Sequence, residues 1–119
     1  MDDKHMGLAD YLTTLQAAEI GVHLPDMPER AGVLEACRAA GKTIVDLGTK
    51  PMVVVTADGV VENGVVRCLK DEVDAAVPDA ERVIVLRLIG DAPLAPTMDA
   101  YLDVHMIAGR DVWFVSLRP

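Results

Sequence analysis

A helix with both ends marked runs directly into a strand in the first half of this chain, and this constrains the fold more than any other feature. It opens at Asp26-Met-Pro-Glu29. Asp26 is placed to accept backbone N–H bonds as an N-cap, and Glu29, three residues on, can reach back to complete a capping box. Pro28 falls in the first turn, where its missing donor costs nothing. Val33, Leu34, Cys37 and Ala40 recur at helical spacing, and Gly41 supplies a left-handed terminator. Thr43 to Leu47 then reads as a strand. The phrase returns near the end of the chain. Thr97 caps a second helix that runs to Ala108, with Met98, Tyr101, Leu102, His105 and Met106 on one face, and Gly109 leads into a strand over Asp111 to Leu117. Two helix-then-strand phrases in 119 residues indicate an alternating α/β domain.

The rest of the chain is consistent with this. Leu8 to Ile20 reads as a helix carrying Leu8, Leu12 and Leu15, ended by Gly21, with Val22 to Pro25 as a connector. Met52 to Thr56 and Val83 to Ile89 are near-continuous apolar runs, the pattern of parallel strands buried on both faces. Val60 to Cys68 reads in two ways. Asn63-Gly64 is a hairpin-turn dipeptide between two short strands. Alternatively, Asn63 caps a helix to Val77 with Leu69, Val73 and Val77 on one face. The helix is preferred, because its spacing holds over several turns and Pro78 stops it. The expected order is α-α-β-β-α-β-α-β, with about four strands in a mostly parallel or mixed sheet. Met1 to Met6 reads as a cloning remnant, leaving residues 7–119 as one domain.

Composition excludes more than it identifies. The chain is 51% hydrophobic and 3% aromatic, so Val, Ala, Leu and Ile must fill the core. A net charge of −8 with no Lys/Arg cluster disfavours nucleic-acid binding. No apolar run is long enough to span a bilayer. With no signal peptide, the expected location is cytoplasmic. Cys37 and Cys68 read as reduced thiols on apolar helix faces, a poor setting for a nucleophile. No zinc-type or other metal-binding spacing occurs, and no cofactor motif either: Gly59-x₄-Gly64 lacks the Lys-Ser/Thr of a phosphate loop.

Parallel strands place their C-terminal ends on one edge, where such sheets bind ligands. Thr56, Asp58, Gly59, Gly90 and Asp91 fall there and form the first candidate ligand site, suited to a hydroxylated ligand or Mg²⁺, although Asp and Gly are the default turn residues and the turn reading is preferred. Asp58 and Asp91, with His23 or His105 as a base, are the candidate catalytic groups. Asp99 and Asp103 share a helical face that His105 does not, so these three make no compact metal site. Ser116, the only serine, lies in a strand, not on the exposed turn a nucleophile needs.

From Met52 onward, MVVVTADGVVENGVVRCLKDEVDAAVPDAERVIVLRLIG followed by GRDVWFVSLRP resembles the STAS (anti-sigma-factor antagonist) family in element order. The resemblance implies a regulatory module. That family's Asp-Ser-Ser/Thr-Gly segment falls at Ala95 to Met98, where Thr97 is the position that fits phosphorylation. The same pattern also fits a crotonase-like or Rossmann-like core. The function expected from the sequence is therefore a small non-catalytic binding or regulatory module, acting through a protein partner, self-association or a small ligand. The alternative is a small oligomeric enzyme with an acidic/His site at a subunit interface.

Overall fold

Val53, Val54 and Val55 are buried on both faces of one strand, and the rest of the molecule is layered around it. The computed structural model describes residues 5–89, 99–107 and 110–117, with side chains over 7–89. In chain order the elements are β1 (His5–Gly7), α1 (Leu8–Thr14), β2 (Glu19–His23), α2 (Pro28–Ala39), β3 (Thr43–Val45), a 3-10 turn (Leu47–Thr49) and β4 (Val53–Ala57). The hairpin β5 (Val60–Glu62) and β6 (Val65–Arg67) follows, then α3 (Leu69–Ala76), β7 (Arg82–Leu86), β8 (Asp99–Ile107) and β9 (Arg110–Leu117).

Seven strands form one sheet in the order β1-β9-β8-β7-β4-β2-β3. β3, β2, β4, β7 and β8 run parallel, and β9 and β1 close one side antiparallel. The expectation of an α/β fold with a mostly parallel or mixed sheet holds, in a sheet wider than the four strands foreseen. Counting the parallel strands alone in chain order, the sequence across the sheet is 2-1-3-4-5, a doubly wound arrangement. The chain leaves β2 toward β3 and returns to β4 on the other side, so the direction of winding reverses between β2 and β4. Right-handed crossovers running in opposite directions put their helices on opposite faces. The core is split accordingly. Val53, Val55, Ala57, Ile84 and Leu86 pack with Leu8, Leu12, Val33 and Cys37 of α1 and α2. Val54, Val83 and Val85 pack with Val73 of α3 and with Val77 at its C-terminal cap.

Several expected elements are corrected. The first helix stops at Thr14, and Glu19–His23 is a strand between β3 and β4. Gly21 is not a helix terminator. It lies mid-strand, where a Cβ would come within 2.6 Å of the Pro51 ring, so glycine permits a close approach there. The helix proposed over Asn63 to Val77 is a hairpin followed by a shorter helix. Asn63 and Gly64 take φ values of 52° and 78°, the left-handed pair of a two-residue hairpin turn. The helix from Thr97 to Ala108 is replaced by β8, which pairs with β7 on one side and β9 on the other. Asp26 does not cap α2: Met27 occupies that position without a side-chain cap bond, and no capping box forms. Cys37 is buried as expected, but Cys68 is exposed, immediately before α3.

Candidate functional site at the winding reversal

Open α/β sheets bind ligands beyond the C-terminal ends of their strands, where the winding reverses. Here that point lies between His23, the last residue of β2, and Thr56, its register partner on β4. The Thr56 hydroxyl donates to the His23 carbonyl at 2.8 Å and ties the two strand ends together. His23 belongs to the sheet, where the sequence suggested a connector, so its imidazole is presented from a rigid element.

A charged cluster surrounds it. His23 Nε2 lies 2.9 Å from Glu72 Oε1 on α3. Arg67, at the end of β6, grips the same carboxylate with two prongs: Nε donates to Oε2 at 2.7 Å and Nη2 to Oε1 at 2.8 Å. A third Arg67 nitrogen, Nη1, reaches Glu62 Oε1 at 3.3 Å across the hairpin. The Arg67 hydrogen bonds, and after them the His23 hydrogen bond, outweigh desolvation and hold the Glu72 carboxyl down to about 2. Glu72 also raises the Arg67 guanidinium above its ordinary value. With Glu72 ionised and able only to accept, His23 Nε2 must carry the shared proton. In the neutral ring Nδ1 is then the acceptor, the form a proton-accepting histidine needs.

Asp58 is buried, and its position is fixed by backbone contacts. Its Oδ1 accepts the N–H groups of Gly59 at 2.8 Å, Leu88 at 2.9 Å and Ile89 at 3.0 Å, while its own N–H donates to Leu86 O. The Asp58 carboxylate therefore joins the loop after β4 to the loop after β7. The two strand ends expected to lie side by side are adjacent, with Asp58 as the link between them. Gly59 is packed so tightly that a Cβ would meet Ile89 Cδ1 at 2.7 Å. Gly90, Asp91 and Thr97 lie outside the described residues. His105 belongs to β8, opposite Val112 of β9, rather than to a helix.

Beside the cluster is an open cleft of about 300 Å³ between the β2–α2 loop (Pro25, Asp26, Met27) and β5 (Val60, Val61, Glu62). Its walls are apolar with two carboxylates. Among the described residues, no group of three His, Cys, Asp or Glu is placed to hold a metal. None of their helices is long and apolar enough to cross a membrane. Sequence reasoning overlooked Arg67, Glu72 and Glu62. The available signal was an arginine and a glutamate five residues apart, bracketing a helix start.

No protein-family model matches the chain. An acetyl-coenzyme A synthetase of Methanothrix thermoacetophila is 31% identical over 115 residues, covering 82% of this chain. The chain spans 16% of that synthetase's length. Among solved structures, an acetoacetyl-CoA synthetase from Streptomyces lividans superposes with a TM-score of 0.61 at 22% identity, over 77% of this chain and 17% of that one. An SPT structure holding PLP matches at 0.59 and 14% identity, over 98% of this chain and 38% of that one. A ureidoglycine-glyoxylate aminotransferase from Bacillus subtilis matches at 0.56 and 14% identity, over 93% and 35%. At these identities the structural likenesses establish a shared α/β fold. The expectation of a non-catalytic, STAS-like regulatory module is overturned. The sequence relative is an enzyme, the proteins sharing the fold are enzymes, and the helix that the STAS order needs after Met98 is a strand.

Proposed function

We propose that this chain is a segment of an enzyme that forms an acyl-coenzyme A thioester, related to the acetyl-coenzyme A synthetases. The observation that carries this reading is the 31% identity across most of the chain. The fold shared with an acetoacetyl-CoA synthetase over 77% of the chain is consistent with it. The segment contributes a doubly wound sheet whose ligand edge carries His23, Thr56 and the Arg67–Glu72 pair. It is not a complete catalyst in this reading. Coenzyme A is a polyanion, whereas this chain carries a net charge of −8 and its edge cleft presents Asp26 and Glu62. The cationic groups that hold coenzyme A must therefore come largely from other parts of the enzyme. A cytoplasmic setting, where Cys37 and Cys68 remain reduced, fits this reading.

The test is a graft. This chain replaces the matched segment of the Methanothrix acetyl-coenzyme A synthetase, and acetyl-coenzyme A formation is measured. The expected result is measurable thioester formation by the graft and none by the isolated chain. A folded graft with no activity, beside an active parent, overturns the reading.

A further inference from the structure

We infer that Glu72 is the positioning residue of the edge cleft: one carboxylate that sets the spacing of both its walls. The inference goes beyond the synthetase reading and does not depend on it. One wall is the β2–α2 loop with Pro25, Asp26 and Met27, and the other is β5 with Val60, Val61 and Glu62. The walls belong to separate stretches of chain, and each is tied to Glu72 near its root. His23, at the end of β2 where the loop begins, donates from Nε2 to Glu72 Oε1 at 2.9 Å. Arg67, the cross-strand partner of Val60, donates to Oε2 at 2.7 Å and to Oε1 at 2.8 Å. The same guanidinium reaches Glu62 at 3.3 Å, at the far end of β5.

Glu72 can serve both walls because the helix that carries it is fixed. Leu69 and Val73 of α3 are 1% and 0% exposed and anchor it in the two halves of the core. The walls have less support. β5 and β6 pair with each other and not with the seven-stranded sheet, and the loop is irregular chain. Leu24 and Val60 rest against the core at the two roots, and Glu72 adds a charge-assisted link common to both. The link is also a coupling. Oε1 accepts from His23 and from Arg67 Nη2 together, so a displacement of either wall alters the bond that holds the other.

Two measurements on this chain test the inference. Spin labels on Asp26→Cys and Val65→Cys, in a Cys68→Ser background that leaves Cys37 buried, report the distance between the walls by electron–electron resonance. Amide hydrogen exchange over residues 60–67 reports the hairpin wall alone. Glu72 is 37% exposed and alanine favours helix, so Glu72→Ala should keep α3. The expected distance distribution in Glu72→Ala is about twofold wider than in the native chain, with hairpin exchange about two- to fivefold faster and β4 exchange unchanged. Arg67→Met should widen the distribution and speed hairpin exchange. His23→Phe should widen the distribution and leave hairpin exchange as it was. An unchanged distribution in Glu72→Ala overturns the inference. So does an unchanged distribution in His23→Phe, because Glu72 would then hold the hairpin alone. Faster exchange in β4 as well, in Glu72→Ala, would make Glu72 a general support of the core and overturn its assignment to the cleft. None of these outcomes touches the synthetase reading, which the graft tests separately.

Discussion

Two valine-rich stretches a few residues apart behave in opposite ways. Val53-Val54-Val55 is entirely buried, whereas Val61, Val65 and Val66 are the most exposed large apolar side chains among the described residues. Composition and β-propensity barely distinguish them. The difference is position: β4 is central, with β2 on one side, β7 on the other and helices on both faces. Among the described residues the hairpin pairs only with itself. A run of valines therefore specifies a strand but not what covers it: among the described residues the valines of β4 are covered and Val61, Val65 and Val66 are exposed.

The largest effect that can break this contrast is a charge placed in β4. Val54→Asp buries an unpaired carboxylate between the sheet and α3 and should cost about 3–5 kcal/mol, enough to unfold a domain of this size. Circular dichroism with urea titration reads it directly. A folded Val54→Asp protein would mean that β4 is not the centre of the core. Gly21→Ala comes next. Its Cβ would lie 2.6 Å from the Pro51 ring, which cannot swing aside as a flexible side-chain end could. The expected loss is about 1–3 kcal/mol in the same titration. A neutral result would show that β2 and the Pro51 segment are less closely packed than described.

The pattern of what could be read in advance follows the same division. α2, β4, β7 and β9 were legible from their apolar patterns, although the capping box read at the start of α2 does not form. β8 was not. Met98, Tyr101, Leu102, His105 and Met106 fit a helical face, while Ala100, Leu102, Val104 and Met106 alternate as a strand does. Pairing with β7 and β9, which no local window contains, decides between the two patterns. In the hairpin the turn dipeptide Asn63-Gly64 was the better guide, and helical spacing that extended too far upstream obscured it. For the site, the sheet's C-terminal edge with Thr56, Asp58 and Gly59 on it was legible from the parallel-sheet argument, whereas His23, read in a connector, lies at the end of β2. The Arg67–Glu72–His23 cluster was not, because it spans a strand end, a helix and a second strand 44 residues away, counted from Arg67 back to His23.

Glu72→Gln probes the root of the hairpin, where the contrast between its fixed and exposed halves originates. All three partners are part-exposed, so the loss should stay below about 1 kcal/mol at neutral pH. Its pH dependence is the sharper measure. The folded-state pKa of Glu72 is depressed to about 2 from the ordinary 4.5. The native protein is therefore stabilised above pH 4.5 and loses that stabilisation as the pH falls through 2. The stability difference between native and Glu72→Gln proteins should narrow steadily over that interval. A difference that stays constant from pH 5 to pH 2 would mean that the carboxylate is not held by Arg67 and His23.

The smallest expected effect is Val66→Ser in the isolated chain. A half-exposed valine on a hairpin has little burial to lose, so the unfolding free energy read from a urea titration should change by no more than about 0.5 kcal/mol. Set beside Val54→Asp, this gives the contrast its scale: two valines of similar strand propensity, one needed for folding and the other nearly silent. A loss at Val66 comparable to a core truncation would mean that the hairpin tip is already covered in the isolated chain. The valines outside the core would then be completing this domain.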